Sequence, residues 1–284
     1  MKRVLTALLL VCVTISLSAQ KPTKYSLTVG DKYEFTSVAD QNLVQTVMNQ
    51  EQATDQVVTA KEEIEVVSFE NGVYTMRSTN LMQAFEMGGV MAQKMHSDSA
   101  GLSNLPFRIM KGSSYTFTMK ETGEVTAVMG LEEIRAAMKE KMEGTIYAPN
   151  ADEITGVYEE TTLMNQLNVT YFIYPEGSAN EWTNSYSTVV NNIPVEFTTK
   201  LYWDDADTIF GLANVNVDGD LEMQGMTLTM NLGGDQKSII DVDPKSGMPL
   251  KIQSIQDMSG DMQAQGMTVP MTMNTEATTT IIKK

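Results

Sequence analysis

The stretch GDLEMQGMTLTMNL, residues 219–232, is echoed by GDMQAQGMTVPMTMN, residues 260–274, with Gly, Asp, Gln, Gly, Met and Thr recurring at an offset of 41 residues. In the first copy Met226, Leu228, Met230 and Leu232 alternate with Thr227, Thr229 and Asn231. In the second, Met267, Val269, Met271 and Met273 alternate with Thr268, Pro270, Thr272 and Asn274. Successive side chains of an extended backbone point to opposite faces, so each run places its apolar residues on one side. The echo therefore reads as a repeated structural unit: two strands with matching apolar faces, expected to be neighbours.

The same period of two runs through most of the chain. Tyr115, Phe117 and Met119 share one face of SSYTFTMK, with a turn at Glu121-Thr122-Gly123-Glu124. Alternation recurs in KYEFTS from Lys32, in EEIEVVSF from Glu62 with VYTMRS beyond Asn71-Gly72, and in FTTKLYW from Phe197. Asp243-Pro244-Lys245-Ser246-Gly247 has the Pro and Gly of a tight turn. Antiparallel meanders are the economical topology.

Two segments follow a helical period instead. In residues 131–142, Leu131, Ile134, Met138 and Met142 line one face. Glu132 and Glu133 stand at the positive end of the helix dipole, and Lys139 and Lys141 at the negative end. A weaker phase joins Val157, Thr161, Met164 and Leu167. The methionine-rich string from Leu81 to His96, with Gly88-Gly89 inside it, reads as a connection or a broken helix.

Residues 1–20 read as a secretory signal peptide: Lys2 and Arg3, an apolar run to about Leu17, then small or polar residues, with cleavage after Ala19 or Gln20. Cys12 is the only cysteine and lies inside that run, so the mature chain is expected to have neither disulfides nor thiolate chemistry. Stability must come from burial in a core. The net charge of −16 becomes −18 once Lys2 and Arg3 leave, a field that disfavours nucleic acid and anionic lipid surfaces. The mature chain divides into β-rich halves, 21–145 with the helix at its end and 146–284 with the Met-rich repeat, which can form one domain.

The order GDKYEF, NGVYTMRS, GEVTAVMGLEEI, YFIYPEGSANEW and DVDPKSGMPL resembles an uncharacterised exported family of Bacteroidota, the domain-of-unknown-function family numbered 6263. The chain departs from that pattern at Ser178-Ala179-Asn180-Glu181-Trp182, where a Gly-Asp-x-Trp turn is expected. The resemblance implies an envelope or secreted location in a Gram-negative bacterium and no assigned activity. The fold expected from the residues is mainly β (α+β): a curved antiparallel sheet, or two related sheets, packed on one or two helices. Periplasmic carriers of lipids and lipoproteins are built in that manner.

Motifs for catalysis are sparse. His96 is the single histidine, and Ser97, Asp98 and Ser99 beside it do not make a hydrolase triad by adjacency. Asn214 to Asp220 imitates a calcium loop, yet Asn214 and Gly225 occupy the first and twelfth ligand positions, so a strand entering an Asp-Gly turn is the better reading. Asp204-Asp205 and Glu159-Glu160 lack a partner that would make them acid and base. Thioethers converging on one face can hold Cu(I), but Val and Leu dilute them here. Unbranched methionine fills irregular cores and also moulds to varied ligands, so the candidate binding residues are Met226, Met230, Met267, Met271 and Met273. Ser99 and Thr208, in Asp-Ser-Ala and Asp-Thr-Ile, match an O-glycosylation acceptor pattern. The function expected is a non-catalytic, cofactor-free envelope module that binds a hydrophobic ligand or a protein partner and is periplasmic, outer-membrane-associated or secreted. A purely structural or surface-assembly protein is the alternative.

Overall fold

Alternation becomes very long strands. The computed structural model describes residues 21–47, 50–89, 92–190, 193–223, 226–264 and 267–284, with side chains described in these except at 186–190, 193–194, 221–223, 226 and 264. The N-terminal strands are β1 (Lys32–Val47), β2 (Gln50–Glu70), β3 (Val73–Met87), β4 (Gln93–His96), β5 (Ser114–Lys120) and β6 (Val125–Met129). The C-terminal ones are β7 (Glu181–Val190), β8 (Ile193–Trp203), β9 (Thr208–Met223), β10 (Met226–Val242), β11 (Pro249–Ala264) and β12 (Met267–Lys283). Helix α1 (Leu105–Met110) follows β4, and α2 (Leu131–Met142), α3 (Ala151–Thr155) and α4 (Glu160–Tyr171) separate β6 from β7.

All strands join one antiparallel sheet in the order β6-β5-β3-β2-β1-β12-β11-β10-β9-β8-β7, with β4 hydrogen-bonded to β3 off that path. Pairing β1 with β12 closes the middle of the sheet from residues almost 250 positions apart, such as Tyr33 opposite Lys283. Helix α4 packs on both β6 and β7, the two ends of the path. The sheet therefore curls until both edges meet one helix, an incomplete barrel with a helical seam. Each edge is tied down by an asparagine: Val125 N–H donates to Asn168 Oδ1 at 2.8 Å, and Asn184 Nδ2 donates to the Phe172 carbonyl at 2.7 Å. An unpaired edge invites pairing with another chain, and this seam covers it.

The barrel has two unlike ends. At the proximal end residues 24–30 cross the opening, with Tyr25 N–H on the Glu121 carbonyl, Ser26 N–H on the Ser246 carbonyl and Gly30 N–H on the Val66 carbonyl. Tyr25 is fully buried, donates to the Tyr171 carbonyl at 2.9 Å and meets the Tyr174 ring edge-on at 5.1 Å. Gly123, at φ 93°, is required here, because a Cβ would stand 1.7 Å from the Tyr171 carbonyl oxygen. The main core fills this half, uniting Phe35, Ile64, Tyr74, Phe117 and Ile209 of the sheet with Leu131, Met138 and Met142 of α2 and Leu163, Leu167 and Tyr171 of α4. Strands β1, β3, β7, β9 and β11 run to the distal end, and β2, β4, β8, β10 and β12 run back from it.

Four local expectations are corrected. Leu81–Met87 continues strand β3 and Gln93–His96 pairs back on it, since β2 runs far enough to hydrogen-bond β3 as far as Met87. Asp218-Gly219 is not a turn: β9 passes through it, with Asp218 opposite Asn231 and Gly219 opposite Met230. The two echoed stretches are hairpins rather than single strands, Gly219 facing Met230 and Gly260 facing Met271. Their Met-rich strands, β10 and β12, are separated by β11. Finally, the second helix begins at Glu160 and buries Leu163, Leu167 and Tyr171, leaving Val157 44% exposed outside it.

Candidate functional site

Register converts the strands into rows around the inner face, each row contributing one side chain per strand. The row Leu201–Gly211–Ser238–Ser254–Ala277–Ala39, Leu201 apart, and the next, Thr199–Ala213–Gln236–Gln256–Thr275–Gln41, are small or polar. One row further toward the distal end the chemistry changes to Phe197–Val215–Gly234–Met258–Met273–Leu43, then Val195–Val217–Leu232–Gly260–Met271–Gln45, then Met230, Met262 and Val269. A polar belt thus separates the main core from a second apolar region.

That second region is a cluster of its own. Val195, Val215, Leu232, Met258, Val269 and Met271 are buried in it, with Leu43, Val47, Phe197, Met230 and Met273 packed against them. Every member stands on β1 or on β8–β12, and none on a helix. Val215 is 1% exposed and Leu232 5%, which a flat sheet face without a covering layer would not allow. The strands cover one another because the sheet bends, and two lumen-facing glycines permit the bend. A Cβ on Gly234 would stand 2.0 Å from the Asp257 carbonyl oxygen, and one on Gly260 2.0 Å from that of Asn231.

Two cavities flank α4, the first reaching into the polar belt and the second lying among residues of the main core. One, of about 170 Å³, is lined by Asn168 and Thr170 of α4 with Asn184, Thr199, Gln236, Ser238, Ser254 and Thr279, and also by the apolar Phe172, Ile173, Leu201, Ile240 and Ile252. The other, of about 180 Å³, is lined by Gln166, Leu167, Thr170 and Tyr171 of α4 with Ser37, Ala60, Glu62, Tyr115 and Thr279. Thr170 and Thr279 belong to both, and each cavity mixes polar with apolar lining. Thr199 Oγ1 is buried without a hydrogen-bond partner. Glu62 is the one carboxyl among these lining residues, and burial pushes its pKa up against the opposing hydrogen bond from Ser78 Oγ at 3.2 Å. A third concavity, about 510 Å³, lies against the opposite face of β10–β12 among Asn42, Asp235, Asp257 and Asn274 and is polar.

Of the candidate binding methionines, Met230, Met271 and Met273 enter the distal cluster, Met271 being 8% exposed. Gln41 Nε2 donates to Met273 Sδ at 2.8 Å, fixing it at the border with the polar belt. Met267 is 54% exposed at the distal end of β12. The side chain of Met226 lies outside the described residues, as do residues 1–20 with the expected signal peptide. Ser99 is exposed just after β4, whereas Thr208 opens β9 half-buried, its Oγ1 3.4 Å from Asp241 Oδ1.

His96 is engaged elsewhere. It lies on β4, far across the sheet from β10 and β12, and its Nδ1 accepts the Asp98 N–H at 3.0 Å. Lys111 pairs with Asp98 and holds that carboxyl below its usual range, while the buried Ser97 hydroxyl accepts the Gln83 N–H. Among the described residues no three His, Cys, Asp or Glu side chains gather as a metal site. Sequence reasoning found the methionine stripes and the helical phase of α4 but missed the polar belt. Its signal was present in the Ser, Thr and Gln at alternate positions of β8, β10 and β11.

A family model described as a family of unknown function, DUF6263, matches residues 71–249. No curated protein matches the sequence. Among solved structures, lipovitellin, from a study of lipid–protein interactions, is 7% identical with a TM-score of 0.48, over 91% of this chain and 25% of that one. An outer membrane channel from Pseudomonas putida F1 is 7% identical with a TM-score of 0.33, over 91% and 98%. A domain assigned to outer membrane lipoprotein sorting in Vibrio parahaemolyticus is 8% identical with a TM-score of 0.16, over 84% and 83%. These scores are too low for any functional conclusion to be taken from them.

Proposed function

This chain belongs to the DUF6263 family, which brings no activity with it, and we propose from the geometry of the lumen that it is an exported, non-catalytic module that binds a hydrophobic, lipid-like molecule in the distal half of its curled sheet. The observation that carries the reading is the distal apolar cluster, assembled by strands alone and continued along the same strand face to the exposed Met267. The cluster is closed by the curl of the sheet alone, whereas the proximal core is also backed by α2 and α4. Methionines among the lining can re-pack around an inserted chain without strain.

The test is uptake of N-phenyl-1-naphthylamine by the delipidated full-length mature protein. Saturable fluorescence at about one probe per chain is expected. Met271→Lys, which puts a charge among buried apolar groups, abolishes it while circular dichroism of the sheet is retained. A protein that shows no saturable uptake is not a carrier of this kind. Two further readings rest on sequence pattern: export with cleavage after Ala19 or Gln20, and O-glycosylation at Ser99, which is better exposed than Thr208. The intact mass of the natively exported protein, followed by peptide mapping, tests both.

A further inference from the structure

The lumen is apolar above and polar below, and resting on the carrier reading we infer that its ligand is a neutral single-chain amphiphile, of the monoacylglycerol class, with a hydrogen-bonding headgroup in the polar belt beside α4 and its chain running through the distal cluster. The register supplies the juxtaposition. Thr199, Gln236 and Thr275 occupy the row directly below Phe197, Gly234 and Met273, so a molecule spanning the border would change environment within one pair of residues. From Thr275 to Met267 the strand advances roughly 27 Å, a path long enough for an extended acyl chain. Along it the inward-facing Gly234 and Gly260 let the sheet bend, since the Asp257 and Asn231 carbonyls leave no room for a Cβ there.

Charge selects the headgroup. The residues lining the two cavities beside α4 include no Lys, Arg or His and one carboxyl, Glu62. The distal cluster contributes no ionisable group. A carboxylate or phosphate head would be buried without a cation and near Glu62, a costly placement. Hydroxyl, ester or amide heads meet donors and acceptors instead: Thr199 Oγ1 has no partner of its own, and Ser254 lies across the same cavity. The cavity that reaches the belt, about 170 Å³, suits a compact head.

The experiment compares 1-monooleoylglycerol, oleate and oleylamine, each at monomeric concentrations and about pH 8, by displacement of N-phenyl-1-naphthylamine from the full-length mature protein. Monooleoylglycerol is expected to displace at a concentration at least about tenfold below either charged chain. Thr199→Val and Ser254→Ala are each expected to weaken it about three- to tenfold, the range of one lost hydrogen bond, after each displacement curve is corrected for that variant's own naphthylamine affinity. Oleate or oleylamine binding as tightly as monooleoylglycerol overturns the headgroup assignment and leaves the carrier reading standing. So does monooleoylglycerol affinity that neither variant alters. Absence of naphthylamine binding as well removes the carrier reading itself.

Discussion

Glu62 faces the lumen in register with Phe35 and Asn80, where burial opposes its ionisation and Ser78 Oγ donates a hydrogen bond to it. The folded chain therefore holds this proton more tightly than the unfolded chain does. The contribution to stability is fully present below the ordinary glutamate range and is lost as pH rises through the folded value. Glu62→Gln, which keeps the shape and removes the charge, raises the thermal midpoint near about pH 8 and leaves it unchanged near about pH 4. A variant no more stable than its parent at the higher pH would show that water solvates the carboxylate. Gly234 and Gly260 make the converse case, because the atoms a Cβ would meet are backbone carbonyls that cannot rotate away. Gly234→Ala and Gly260→Ala each cost about 1–3 kcal/mol or more in denaturant unfolding, whereas Gly233→Ala, which meets nothing within 4 Å, changes stability by only a few tenths.

At the scale of elements, the outer face of the same strands carries one Asn or Asp in each of six neighbours: Asn214, Asp235, Asp257, Asn274, Asn42 and Asp55 in one continuous register. Amides offset the carboxylates, with Asn274 Nδ2 to Asp257 Oδ1 and Asn42 Nδ2 to Asp55 Oδ1 both at 2.7 Å. Only Asp235 and Asp257 place like charges directly opposite. Asp235→Asn is accordingly expected to stabilise by about 0.5 kcal/mol, a gain that shrinks in high salt. The helical seam gives the opposite sign. Asn168→Ala strands the Val125 N–H on edge strand β6 and costs about 1–2 kcal/mol, with faster hydrogen exchange across β6 than across β10. Strand periodicity was readable from residues 226–232 and 267–274 because one face of each strand is buried. The span of α2 was readable because Leu131, Met138 and Met142 recur at helical spacing and its charges suit the dipole. The β3–β4 hairpin was not, since Met and Gly-Gly between Leu81 and Met91 satisfy helical and extended patterns alike. Nor was the partner of each strand, because a sheet face with alternating Met, Val and Leu looks the same whichever neighbour it meets.

Across the whole molecule the division between a helix-backed proximal half and a strand-only distal half is a statement about stability as well as ligand. The curl depends on β1 meeting β12 and on α4 meeting both edges, contacts between residues far apart in sequence, which no local pattern announces. The proximal core joins sheet, α2, α4 and the N-terminal segment; the distal cluster joins strands only. Local opening is governed by how much buried surface must be exposed, so backbone amides of the distal cluster, at 228–232, 258–262 and 269–273, should exchange sooner than those at 238–242, 251–255 and 279–281 of the same three strands. A bound chain threading the distal half adds the missing layer. Hydrogen exchange with saturating N-phenyl-1-naphthylamine should then slow the distal set by about tenfold or more while the proximal set moves little. Equal protection in both halves of the free protein would mean that the strands alone seal the lumen, and probe-induced slowing confined to the proximal set would place the ligand among the aromatic residues around Tyr171 instead.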